Sequence, residues 1–258
     1  MSYLRLRQLC LVAPALEPVV SDISAVFGLE VCYRDPNVAR YGLENVLFPV
    51  GDSFIEIVAP IRAGTAAGRF LEQRKGEGGY MVILDCDDAE RRRQHAEQMG
   101  IRVANLIRYD DYVGVQLHPR DTGAAMIEIN QTRGGESVSG PYHPAGPNWQ
   151  SALRTDVTSR LVAVDIEVPE PEAFSARWAA LLERPAVRVD SGYRIALDGG
   201  DIRFSRSAAA GLQSIFAGLE LRVLNSAAVL AAAAARGYRV QDRAIALCGV
   251  RIAVSQAV

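Results

Sequence analysis

Two glutamates set 72 residues apart, each flanked by isoleucine in a strand-like run, most constrain how this chain can fold. They lie in Phe54-Ile-Glu-Ile-Val and Ala125-Met-Ile-Glu-Ile, so Glu56 and Glu128 mark the same point of a repeated unit. Repeats of this kind fix an architecture before any single residue does. The first unit reads as a strand at Leu9-Cys-Leu-Val-Ala and a helix from Pro18 to Phe27 closed by Gly28. Strands at Leu29–Tyr33, Val46–Val50 and Phe54–Val58 follow, the last two joined by the turn signal Gly51-Asp52. The second unit repeats the order. A strand at Tyr80–Leu84 precedes a helix from Ala89 to Met99, capped by Asp87-Asp88 and stopped by Gly100, and then come strands at 101–103, 112–117 and 125–129. Gln8 and Met81 occupy matching places in the two first strands, 73 residues apart.

The order returns twice more in shorter form. Leu161–Val168 and Leu219–Val223 are strands, each followed by a helix (Glu170–Leu182, and the alanine tract after Asn225) and by further strands. Alanine has the highest helix propensity, so that tract needs no functional explanation. Residues 133–159 contain Gly, Pro and Ser in the proportions of a linker, but their Tyr, His and Trp predict that they pack on something, as a wedge or as a flap over a pocket. The expected domains are therefore 1–132 (units 1–75 and 76–132), the linker 133–159, and 160–258.

Composition removes several function classes. A net charge of −2 with mixed signs argues against non-specific nucleic-acid binding. The longest apolar run, Ala227–Ala235, is far short of the roughly 20 residues of a membrane span. The start, Met1-Ser-Tyr-Leu-Arg-Leu-Arg, carries no signal-peptide pattern, so a cytoplasmic protein is expected. Its four cysteines show no C-x-x-C spacing and are expected to be free thiols; with three histidines, any metal site is poor in histidine.

Four strand–helix–three-strand units resemble the vicinal oxygen chelate superfamily, which includes glyoxalase I, extradiol dioxygenases and bleomycin-resistance proteins. The first half is most similar to the methylmalonyl-CoA epimerase-like branch, through Phe70-Leu-Glu-Gln-Arg-Lys-Gly-Glu-Gly-Gly-Tyr-Met-Val-Ile-Leu-Asp-Cys-Asp-Asp88 and Leu117-His-Pro-Arg-Asp-Thr-Gly-Ala-Ala-Met-Ile-Glu-Ile129. The resemblance implies an α+β fold of four tandem βαβββ-type units forming two glyoxalase-like half-barrel domains. It also implies a cup whose floor holds a divalent metal that polarises a substrate with two vicinal oxygens.

On that pattern Gln8, Glu56, Met81 and Glu128 occupy the four ligand slots. Gln8, Glu56 and Glu128 are the candidate metal ligands. Met81 stands where the branch has histidine, and a thioether is a poor partner for a hard ion. A depleted metal site and a site with no metal both remain open, with no cofactor as the favoured expectation. Glu56, Glu128 and Glu44 are the candidate acid/base carboxylates, Glu44 through its place near the branch's acid/base position. Gln8, Cys10, Phe54, Met81, His118 and His143 are candidate substrate-binding residues, with His118 in the His-Pro turn. In 160–258 the slots become Ala163, Arg203, Gly218 and Arg251, and ion pairs to Asp165, Glu167 or Glu220 are expected instead of a metal. The expected function is binding of a small oxygenated or carbonyl-containing molecule, with isomerase or lyase chemistry by proton transfer. The alternative is sequestration without chemistry, of the bleomycin-resistance type. The expected partner is a small molecule, not a nucleic acid or a membrane, with a homodimer left open.

Overall fold

The computed structural model describes residues 2–207 and 215–256. In chain order the first half contains β1 (Leu4–Val12), α1 (Val19–Phe27), β2 (Leu43–Val50), β3 (Ser53–Pro60), α2 (Ala66–Arg74), β4 (Gly78–Cys86), α3 (Ala89–Gln98), β5 (Val103–Tyr109), β6 (Tyr112–Leu117), α4 (Pro119–Thr122) and β7 (Met126–Thr132). The second contains β8 (Thr158–Val168), α5 (Pro171–Leu182), β9 (Ala186–Val189), β10 (Gly192–Leu197), β11 (Gly200–Arg206), β12 (Ile215–Val223), α6 (Ser226–Ala235), β13 (Val240–Gln241), β14 (Ala244–Leu247) and β15 (Val250–Gln256). The fold is α+β, with two mixed sheets. The seven-stranded sheet has the order β2-β3-β1-β4-β7-β6-β5, and the eight-stranded sheet β13-β14-β15-β12-β8-β11-β10-β9.

The local chemistry explains the helix boundaries. α1 buries Val19, Val20, Ile23, Val26 and Phe27, the spacing of one helical face, and Gly28 ends it in a left-handed conformation. Asp88 caps α3 by accepting from the Arg91 N–H at 2.9 Å, and Asn225 caps α6 by accepting from the Ala228 N–H at 3.1 Å. Two elements differ from expectation. Leu29–Tyr33 is not a strand, and only Tyr33 makes an isolated bridge, to Leu47. α2 is a helix that the strand–helix–three-strand pattern omits; Thr65 caps it, and of its residues only Ala67 is buried, so its sequence has almost no apolar stripe to read.

By packing, the chain divides into two compact units, each discontinuous in sequence. One comprises residues 1–7, 81–143 and 163–217; the other comprises 8–80, 144–162 and 218–258. In the first, α3 packs on β6 and β7, and α5 on β10 and β11. Trp178 of α5 is fully buried, edge-on to Phe204 at 5.3 Å, and its indole N–H donates to the Thr122 carbonyl at 2.9 Å. Trp178→Phe keeps most of the packing but orphans that carbonyl, so it is expected to cost about 1–2 kcal/mol in denaturant unfolding. In the second, α1 packs against α6, and the Arg236 Nε donates to Asp22 at 2.6 Å.

In 160–258 one of the expected ion pairs is present: Arg203 lies across from Asp165, with Nη1 to Oδ1 at 4.0 Å. Arg203 is half-buried, and Arg251, opposite Gly218, is exposed. These arginines are therefore not the desolvated charges that the expectation required, because their strand faces meet solvent.

Candidate functional site

Strand alternation places each candidate residue. β1 and β3 run parallel, with Gln8 opposite Phe54 and Cys10 opposite Glu56. β2 runs antiparallel to β3, with Leu47 opposite Glu56 and Asn45 opposite Val58. Successive side chains on a strand point to opposite faces, so Gln8, Cys10, Phe54, Glu56, Asn45 and Leu47 share one face. Glu56 is buried there, and both its oxygens accept from amides. The Gln8 Nε2 donates to Oε2 at 2.8 Å, and the Asn45 Nδ2 donates to Oε1 at 2.6 Å. Phe54 is fully buried, edge-on to Trp149 at 5.1 Å. Glu44 does not join this group. It is exposed and one residue out of phase with Asn45, so it points from the other face of β2.

The second glutamate is held in the same manner by different residues. β4 and β7 run parallel with Met81 opposite Met126, Ile83 opposite Glu128 and Asp85 opposite Asn130. β6 pairs antiparallel with β7, with Gln116 opposite Glu128 and Gly114 opposite Asn130. Glu128 is buried and accepts three bonds: from the Tyr112 hydroxyl at 2.6 Å, the Gln116 Nε2 at 2.8 Å and the Asn130 Nδ2 at 3.2 Å. Gln116 in turn accepts from the Asn105 Nδ2 of β5 at 3.1 Å. Burial first, and then the Glu128 charge, push the Tyr112 phenol well above its usual range, so it acts as a donor.

Gly114 makes the Tyr112 bond geometrically feasible. A Cβ there would sit 2.9 Å from both Cε1 and the hydroxyl oxygen of Tyr112. The missing side chain lets the ring lie over the backbone of its own strand and reach Glu128. Gly114→Ala is expected to displace the ring and cost about 1–3 kcal/mol, read by urea unfolding and by the near-ultraviolet signal of the tyrosines.

The histidines make the following contacts. His118 caps α4, its Nδ1 accepting from the Arg120 N–H at 3.3 Å. His143 stacks against both Tyr109 and Tyr112, with ring centroids at 4.8 and 4.7 Å, and its Nδ1 lies 3.1 Å from Asp111. His143, within the linker, thus covers Tyr112. His95 is half-buried, with its Nε2 2.9 Å from the Ala180 carbonyl.

Both carboxylates are occupied by neutral donors: Gln8 and Asn45 turn N–H groups to both oxygens of Glu56, and each of these amides also carries a carbonyl oxygen that can ligate once turned. Tyr112, Gln116 and Asn130 present O–H and N–H groups to both oxygens of Glu128. Met81 is a buried thioether. Among the described residues, no three His, Cys, Asp or Glu side chains are grouped to hold a metal ion. Sequence reasoning missed Asn45, Tyr112, Gln116 and Asn130. Their signal was the period-two phase with the two glutamates, which marks them as same-face neighbours.

Residues 9–182 match the Glyoxalase-like domain family. The mitochondrial methylmalonyl-CoA epimerase of Bos taurus is 24% identical over 131 residues, 49% of this chain and 74% of that protein. A structure of a hypothetical protein from Staphylococcus aureus aligns with TM-score 0.69 at 13% identity, covering 98% of this chain and all of the other (100%). A mutant of 4-hydroxymandelate synthase from Streptomyces coelicolor aligns with TM-score 0.68 at 11% identity, covering 92% of this chain and 76% of that one. Both alignments carry the fold.

Proposed function

The chain belongs to the glyoxalase-like domain family, and from that premise we propose that it binds a small carbonyl-containing molecule and moves a proton at the carbon next to the carbonyl, as an isomerase or lyase does. The observation that carries this reading is Glu128, a buried carboxylate fixed by three uncharged donors. Such a group is desolvated and oriented before a ligand arrives, which a general base requires. In the proposed step the Cα–H bond breaks, its proton goes to a glutamate oxygen, and the electron pair moves onto the carbonyl oxygen as an enolate. Delivery of a proton from water to the opposite face of the enolate, with the glutamate's proton released to solvent, gives the epimer. Glu56, held by Gln8 and Asn45, is the buried carboxylate of the other compact unit and a separate candidate base. The proton in this step is carried by this chain's own carboxyl group. The similarity to methylmalonyl-CoA epimerases supports acyl-CoA thioesters as the first class to try.

The same hydrogen bonds favour a second reading. Carboxylates occupied by neutral donors suit a cup that holds a ligand by shape and hydrogen bonding without reacting, that is, sequestration. Deuterium incorporation from D2O separates the two. Methylmalonyl-CoA and a panel of small keto acids, incubated with the chelator-treated protein, are followed by proton NMR. Exchange at the α-carbon supports proton transfer. Saturable binding without exchange supports sequestration. Neither exchange nor binding overturns both.

A further inference from the structure

On the face of β4 and β7 that carries Glu128, Asp85 and Asn130 stand side by side in register. Both are sealed from solvent, at 2% and 0% exposure. The Asp85 Oδ1 and the Asn130 Oδ1 are buried acceptors without a hydrogen-bond donor. Native structures rarely leave buried polar atoms unpaired, and two neighbouring ones call for a shared cause. The remaining atoms of both residues are in use. The Asp85 Oδ2 accepts from the Arg5 Nη1 at 3.0 Å. The Asn130 Nδ2 donates to the Glu128 Oε1 at 3.2 Å and to the Tyr142 hydroxyl oxygen at 3.3 Å.

A single proton resolves both orphans. If Asp85 is neutral, its Oδ1–H donates to the Asn130 carbonyl, the Arg5 bond to Oδ2 is kept, and the Asn130 amide is fixed with its N–H groups toward Glu128. If Asp85 is ionised, two carboxylates compete for one amide. We propose that Asn130 is a two-position amide switched by the proton on Asp85: it donates to Glu128 while Asp85 is neutral, and turns toward Asp85, withdrawing its donor from Glu128, when Asp85 is ionised. Asp85 is therefore a positioning residue for the Glu128 site, and its bearing on catalysis rests on the proton-transfer reading above.

The surroundings suit this role. The groups facing Asp85 are Arg5 and Arg7 of β1, Tyr3 just before it, Cys86 on its own strand, and Glu136 and Tyr142 of the linker. Burial outweighs the two arginines and pushes the Asp85 carboxyl up to about 6, close to neutral pH.

The test uses the whole chain and needs no substrate. Carboxyl carbon and side-chain amide resonances are followed by NMR from about pH 4.5 to about pH 8. Asp85 is expected to titrate near its raised value of about 6, and the Asn130 NH2 signals to move with the same midpoint. Asp85→Asn, which donates permanently to Asn130, is expected to abolish the pH response of those signals. Titration of Asp85 at the ordinary value of about 4, or Asn130 signals indifferent to pH, overturns the switch. The wild-type titration decides the matter even if Asp85→Asn fails to fold. Absence of α-proton exchange with every substrate removes only the catalytic reading. If exchange is found and its pH profile is the same in Asp85→Asn as in wild type, the switch has no hold on Glu128 and the proposal falls while the catalytic reading stands.

Discussion

Replacing Arg7 with alanine is expected to destabilise the protein by about 3–5 kcal/mol, and by more at pH 8 than at pH 5. Arg7 is 2% exposed, its guanidinium lies 5.0 Å from the Tyr142 ring centroid, and its Nη2 donates to the Val138 carbonyl at 2.8 Å. It is also the leading opposing charge on Asp85. The packing and the Val138 bond are lost at any pH. The charge compensation matters only when Asp85 is ionised. Because burial raises the folded-state Asp85 carboxyl from its ordinary value to about 6, its neutral form is the one folding favours. Its contribution is complete below about pH 4 and is lost as pH rises through about 6, a difference of about 3 kcal/mol. Removing Arg7 pushes the carboxyl higher still, so stability keeps falling at pH values where wild type has levelled off. Urea unfolding at the two pH values measures this, and adding Asp85→Asn should remove the pH-dependent part. An equal penalty at both would mean that packing carries the whole effect.

The repeat, the two glutamates and their phase were legible because they depend only on period-two alternation and on a spacing of 72 residues. That phase correctly places Cys10 beside Glu56 and Gln8 on the same face. What holds the glutamates was not legible. Asn45 and Glu44 are adjacent in sequence, and only the β2–β3 register decides that Asn45 meets Glu56. Glu44 was assigned through its place near the branch's acid/base position, whereas the buried face of β2 carries the neutral donor Asn45. Tyr112 and Gln116 of β6 and Asn130 of β7 share the face of Glu128, a period-two phase, but only the β6–β7 register shows that they meet it. Asp85 sits in Val-Ile-Leu-Asp-Cys, where it reads as the end of an apolar strand. Its burial depends on β1 and the linker, which lie far away in sequence. In the second half the arginines at Arg203 and Arg251 were read as buried because their slots were the floor of a cup, but slot equivalence carries no information about burial once the unit has shortened.

Glu128→Gln is expected to slow α-proton exchange by about 10²- to 10⁴-fold, the range that a positioned general base supplies, while lowering stability by at most about 2 kcal/mol. The asymmetry follows from the donors around it. A glutamine at 128 presents one carbonyl and one NH2 where the carboxylate presented two acceptors. The Tyr112 hydroxyl can rotate to accept, and the amides of Gln116 and Asn130 can turn their carbonyls inward, so the network can be re-paired. Glu128→Ala has no such remedy. It strands several buried donors and opens a cavity, and should cost more than the glutamine variant in the same urea titration. The pair of variants therefore separates base function from support, since only the glutamine variant removes the base without removing the partner. The matching Glu56→Gln change serves as the internal comparison, because Gln8 and Asn45 can also turn. Exchange lost in Glu56→Gln but intact in Glu128→Gln would move the base to β3. Exchange intact in both would remove proton transfer from these strands and leave sequestration as the reading that the binding measurement tests.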